Sequence, residues 1–138
     1  MDVLYNPFVS VGPFVFNENI DQYTDLGLLF YESDDVTGWD CYELLDEGVE
    51  VYTSNSIIVS VACRKELFYA HINIIGQNID VFLSNLQIHT RPEIDKIYIP
   101  SEDEYQDVFE IESLGLQLWV RHDIIVTAFC SPDLSKED

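Results

Sequence analysis

Residues 40–63, DCYELLDEGVEVYTSNSIIVSVAC, and residues 107–130, DVFEIESLGLQLWVRHDIIVTAFC, align without a gap at an offset of 67. Asp40/Asp107, Glu43/Glu110, Gly48/Gly115, Ile57/Ile124, Ile58/Ile125, Val59/Val126 and Cys63/Cys130 coincide. Extended back to Phe30/Ile97, the alignment adds Tyr31/Tyr98 and reaches eight identities in 34 positions, where chance at one chosen offset gives roughly two. A second match, Asn19-Ile20-Asp21 against Asn78-Ile79-Asp80, has an offset of 59, so an insertion of eight residues is expected near residues 87–94. The pattern predicts one domain, 1–138, built from repeat halves at about 17–75 and 76–131.

Working outward, each half opens with a short helical signal. Ile79, Phe82, Leu83 and Leu86 recur at i, i+3, i+4 and i+7 behind Asn78, a predicted N-cap. Ile20, Tyr23 and Leu26 give a weaker version that stops at Gly27. The rest of each half reads as strands. Residues 48–52 alternate, Thr53-Ser54-Asn55-Ser56 reads as a turn, and residues 57–63 return as the second arm of a hairpin. Alternation places Ile57, Val59, Val61 and Cys63 on one face, matched by Ile124, Val126, Ala128 and Cys130. Residues 68–75 extend the first half by one further strand. The predicted fold is α+β, a two-layer antiparallel β-sheet with two short helices and an internal two-fold repeat of helix plus β-meander.

The chain has 138 residues, 26 Asp+Glu against 6 Lys+Arg, a formal net charge of -20, and 47% hydrophobic residues. So many aromatic and branched aliphatic side chains exclude a disordered acidic tail. The carboxylate excess disfavours partners with anionic backbones or headgroups, so neither nucleic acid nor membrane is expected. No apolar run approaches the roughly 20 residues of a membrane span, and residues 1–14 lack the pattern of a secretory signal. Three cysteines without metal-ligand spacing point to a reduced, cytoplasmic protein.

Candidate chemistry is sparse. His71, His89 and His122 fall in a predicted strand, the insertion and a hairpin turn, with no nucleophile motif beside them. Cys63 and Cys130 read as core residues, and negative neighbours make Cys41 a poor nucleophile. Residues 33–44 place Gly38 where a calcium loop needs glycine, but Ser33 and Leu44 stand where its first and last carboxylates belong. No glycine-rich phosphate loop is present. Neither catalytic residues nor metal ligands nor a cofactor are assigned, and the chain reads as a binding protein rather than an enzyme.

The acids are what remains. Glu32, Asp34, Asp35, Asp40, Glu43, Asp46, Glu47 and Glu50 lie within 19 residues that hold no Lys or Arg, and residues 102–112 repeat the pattern with Glu102, Asp103, Glu104, Asp107, Glu110 and Glu112. Solubility of a small domain needs a net charge of roughly 2 to 8, so a charge of -20 points to a basic partner. The predicted contact comprises Asp34, Asp35, Trp39, Asp40, Glu43, Asp46 and Glu47 with Glu102, Asp103, Glu104, Tyr105 and Asp107, the two loops forming one compact patch. Trp39, between Gly38 and Asp40, is expected to be an exposed anchor, and Tyr42 and Phe109 to be core.

The GPFVF segment at residues 12–16, the GVEV and GLQL strands, the two IIV strands and the acidic loops resemble the immunity proteins of bacterial toxin-immunity pairs, in particular those of contact-dependent growth inhibition. The resemblance implies a small cytosolic, non-enzymatic protein that blocks a cognate basic toxin, often a nuclease. A competing expectation is a nucleic-acid mimic that occupies a DNA- or RNA-binding protein, which calls for a longer and more regular carboxylate array. An enzyme or a weak cation-binding protein is the third.

Overall fold

The computed structural model describes residues 2–87 and 94–132. The structure is mostly antiparallel β-sheet with two short helices. Three two-residue strands, β1 (Tyr5–Asn6), β2 (Ser10–Val11) and β3 (Phe14–Val15), form an N-terminal sheet. A 3-10 helix (Ile20–Leu26) follows, then β4 (Leu29–Ser33), β5 (Asp40–Leu44), β6 (Val49–Ser54) and β7 (Ile57–Cys63). The small hairpin β8 (Phe68–Tyr69) and β9 (Ile72–Asn73) leads to α1 (Ile79–Asn85). The chain ends in β10 (Ile94–Ile99), β11 (Glu104–Ile111), β12 (Leu116–Arg121) and β13 (Ile124–Cys130). Strands β4–β7 and β10–β13 form a single eight-stranded sheet in the order β10-β11-β12-β13-β7-β6-β5-β4.

Both helices begin where the sequence placed them. Ile20, Tyr23 and Leu26 are spaced by three residues, the period of a 3-10 rather than an α-helix, and the first helix is of that kind. The Asn19 side chain accepts from the N–H of Asp21, and Gly27 ends the helix in the left-handed region. The Asn78 side chain accepts from the N–H groups of Asp80 and Val81, starting α1.

Matching local features recur in the two meanders. Asn19 bridges to Ile57 and Asn78 to Ile124. The N–H of Ile20 donates to Ser56 O, and that of Ile79 to Asp123 O. The hairpin turns Asn55-Ser56 and His122-Asp123 all take positive φ. Register shifts fall at Tyr52/Thr53 and at Trp119/Val120. The meanders join through β7 and β13, in the pairs Ala128–Cys63, Phe129–Ala62 and Cys130–Val61.

Those register shifts correct the predicted faces. Because Tyr52 faces Ser60 and Thr53 faces Ile58, Val59 is an extra residue, and the core takes Ile58, Val61 and Cys63 instead of Ile57, Val59, Val61 and Cys63. In the second meander Ile125, Ala128 and Cys130 are core, while Val126 is half-buried and Ile124 exposed. Residues 68–75 are not one strand, because Ala70 and His71 take positive φ and close the β8–β9 hairpin. His71 therefore stands in a turn. Of the predicted insertion, residues 88–93 with His89 lie outside the described residues.

One face of the large sheet holds the core. Val49, Val51, Leu116 and Leu118 pack there with Ile20 and Tyr23 of the 3-10 helix and with Ile79 and Phe82 of α1. Phe109 joins that core and Tyr42 packs against it, as predicted. The opposite register presents Cys41, Glu43, Glu50, Tyr52, Ser60 and Ala62 from one meander, and Gln106, Val108, Glu110, Gln117, Trp119, Thr127 and Phe129 from the other.

Candidate functional site

The two acidic loops do not form one compact patch. Five successive antiparallel pairings separate β5 from β11, so these strands run in opposite directions and the β4–β5 and β10–β11 turns lie at opposite ends of the sheet, near opposite edges. Both turns nevertheless contribute to the face away from the core.

At the first corner, Asp34 organises its own loop. Its carboxylate accepts from the N–H of Val36 at 2.9 Å and from the Thr37 hydroxyl at 3.0 Å. These bonds, the first above all, hold the Asp34 carboxyl below the usual carboxylate range. The N–H of Gly38 donates to Asp34 O and that of Asp34 to Trp39 O, which closes the hairpin with Gly38 at φ +75. Asp35 is exposed beside Val36, which is 92% exposed.

Trp39 is half-buried rather than exposed, its ring centroid 6.5 Å from that of Tyr52. Alternation separates it from Asp40, which belongs to the core-side register and accepts from Ser33 Oγ at 2.6 Å. Glu43 faces Glu50 across the outer register, and Asp46 and Glu47 lie in a short 3-10 turn (Leu45–Glu47) at the far end of β5, where Lys65 donates to Asp46 O. Among the described residues no cation lies within ion-pair distance of Glu32, Asp34, Asp35, Asp40 or Glu43.

At the second corner the acids are held by cross-strand partners. Arg121 reaches from β12 to Glu102 at 3.0 Å and Glu104 at 3.4 Å, while Gln106 donates to Glu102 at 3.2 Å. His122 lies 3.3 Å from Glu104, Lys96 lies 3.3 Å from Asp107, and the Tyr98 hydroxyl donates to Asp103. Tyr105 is exposed and stacks edge-on against Tyr98 at 5.2 Å, in the register away from Gln106. The twelve predicted contact residues thus divide between two corners, two faces and the far end of β5.

The sequence reading missed an aromatic stripe across the outer face. Trp39 meets Tyr52, Tyr52 meets Phe129 at 6.2 Å, and Phe129 meets Trp119 at 5.7 Å. Its signal was present: Tyr52 and Trp119 are equivalent at the 67-residue offset and both fall in the outward register of their strands. Clefts of about 560 and 410 Å³ lie along the stripe, and Phe129 lines both. Polar side chains are tethered around it. Tyr52 OH donates to Glu50 at 2.6 Å, and Glu50 also pairs with Arg64. Trp119 Nε1 donates to Gln117 at 2.9 Å, and Gln117 donates to Glu110 at 2.6 Å.

All three cysteines are free and buried, Cys41 included. Burial, reinforced by Glu43 and Glu32, raises the Cys41 pKa; burial pushes Cys63 up to about 12 and Cys130 well above its ordinary value. Such thiols stay protonated at neutral pH. Among the described residues no group of three or more His, Cys, Asp and Glu could hold a metal ion, and no helix is long and apolar enough to cross a membrane. No family model, curated protein or solved structure matches the chain.

Proposed function

We propose that the chain binds and neutralises a basic toxin domain, in the manner of the immunity proteins it resembles, and works in the cytoplasm without a cofactor. The observation that carries this reading is the outer sheet face. It bears a stripe of four half-buried rings, with a corner of carboxylates beside it that no described cation pairs. Large rings supply desolvated contact area, while exposed carboxylates accelerate the encounter with a cationic surface. On this reading the acids away from that face, Asp40, Asp46, Glu47 and Asp107, act through the long-range field.

The architecture belongs to the same proposal: a single-domain, two-layer α+β fold made of two copies of one helix-plus-meander unit. The paired Asn caps, positive-φ turns and register shifts at matching stations support it. The test is binding kinetics against the product of the gene adjacent to this protein's own, at two salt concentrations. The reading requires association that weakens as salt rises and a complex whose lifetime shortens by about tenfold in Phe129→Ala, as expected for a ring at an interface centre. Absence of binding, or dissociation unchanged by that substitution, refutes it.

A further inference from the structure

The two clefts beside Phe129 occupy comparable places on the outer face but differ in charge. The cleft of about 410 Å³ is lined by Arg64, Arg121 and Glu102 with Trp119, so its acid already faces cations. The cleft of about 560 Å³ has Trp39 and Phe129 among its walls, with Glu110, Glu112 and Gln117, and contains no basic side chain. Among the described residues no cation lies within ion-pair distance of Glu110 or Glu112.

Glu110 is also oriented before any ligand arrives. Trp119 donates to Gln117, and Gln117 donates to Glu110 Oε1, which leaves Oε2 free of that chain. Two aromatic rings and a fixed carboxylate suit a planar cation that can stack and hydrogen-bond together, which describes guanidinium better than ammonium.

We propose that the Trp39–Phe129 cleft is a socket for an arginine side chain of the basic partner, with Glu110 receiving the guanidinium and the rings flanking it. This rests on the reading of the outer face as the partner-binding surface and specifies where its central contact falls. The difference in charge between the clefts also fixes how the partner lies: its arginine goes to the Trp39 side, not the Arg64–Arg121 side.

The test is nuclear magnetic resonance titration of the full chain with N-acetyl-arginine amide, against its neutral citrulline analogue and the corresponding lysine amide. The socket predicts saturable shifts at the Trp39 indole N–H and at Glu110, Gln117 and Phe129. It also predicts binding on the order of tenfold weaker for lysine, and still weaker for citrulline. Glu110→Gln, a change at the half-buried outer face, should reduce arginine binding by a similar factor while leaving the spectrum folded; Trp39→Leu provides a second variant. Equal responses to arginine and citrulline overturn the socket. Shifts confined to residues 32–36 overturn it while leaving the acidic-surface reading intact. Toxin binding that survives Glu110→Gln and Trp39→Leu unchanged does the same, whereas no toxin binding by the unaltered chain removes the reading beneath it.

Discussion

The β4–β5 corner and the β10–β11 corner occupy the same station in their meanders and use carboxylates in opposite ways. At the second corner Arg121, Lys96 and Tyr98 hold Glu102, Glu104, Asp107 and Asp103. At the first, Asp34 is occupied by its own turn, and Glu32 and Asp35, with Glu43 farther along β5, have no described cation within ion-pair distance. A shared station in two similar meanders therefore does not give a shared role. Where a base crosses from the neighbouring strand, carboxylates brace the sheet; where none does, their field extends into solvent.

The strongest way to break the equivalence of the halves is through their turn glycines. Gly48 and Gly115 both take positive φ, where a side chain is strained. A Cβ on Gly48 would meet Lys65 Cγ at 2.6 Å, and a lysine side chain can move; a Cβ on Gly115 would meet Ser131 O at 2.7 Å and the Phe8 ring at 2.9 Å. Gly115→Ala should therefore cost about 3 kcal/mol and Gly48→Ala about 1 kcal/mol, measured by urea unfolding. Equal costs would mean that residues 8 and 131 yield as readily as a lysine.

Next in size is association with the proposed basic partner. Neutralising Glu32, Asp35 and Glu43 as Gln, Asn and Gln should slow association by about tenfold at low salt; Glu102→Gln with Glu104→Gln should slow it by about twofold or less. Stopped-flow measurements at two ionic strengths test this, and the reverse order would assign the steering field to the wrong corner. Stability should show the opposite ranking. The Glu102/Glu104 pair of substitutions should cost about 0.5 kcal/mol in chemical unfolding, because these ion pairs are partly exposed. The Glu32/Asp35/Glu43 set should leave stability unchanged or raise it.

The smallest effect belongs to Asp34. Its folded pKa is depressed, so its contribution is present above the ordinary carboxylate value of about 3.9 and is lost as pH falls through the lower folded value. Acid titration should therefore loosen the β4–β5 turn first, seen as increased amide exchange at Val36 and Gly38, whose N–H groups bond to Asp34. Asp34→Asn should remove that pH dependence.

Much of the fold was legible because its signals are local. The Asn78 cap, Gly27, and the alternation of residues 48–52 and 115–119 each act over a few residues and reappear as the expected elements, although the strands run on to Ser54 and Arg121 through residues expected to turn. The bulges at Val59 and Val126 were not legible, because an extra residue in one strand is defined only by its partner strand. The site divided similarly. Carboxylate density was plain, but Arg121, distant in sequence from Glu102, could be placed against it only by the β11–β12 pairing. The aromatic stripe depends on the β7–β13 junction, which brings Phe129 between Tyr52 and Trp119.

That junction also bears on how the chain folds. Hairpins β4–β5, β6–β7, β10–β11 and β12–β13 each pair close neighbours in sequence and can close within microseconds. The β7–β13 ladder instead joins residues such as Ser60 and Cys130, whose hydrogen bond spans 70 positions. Because loop-closure entropy must be lost before such distant contacts repay it, substitutions along this seam are expected to slow folding more than substitutions within either hairpin, as refolding kinetics would test.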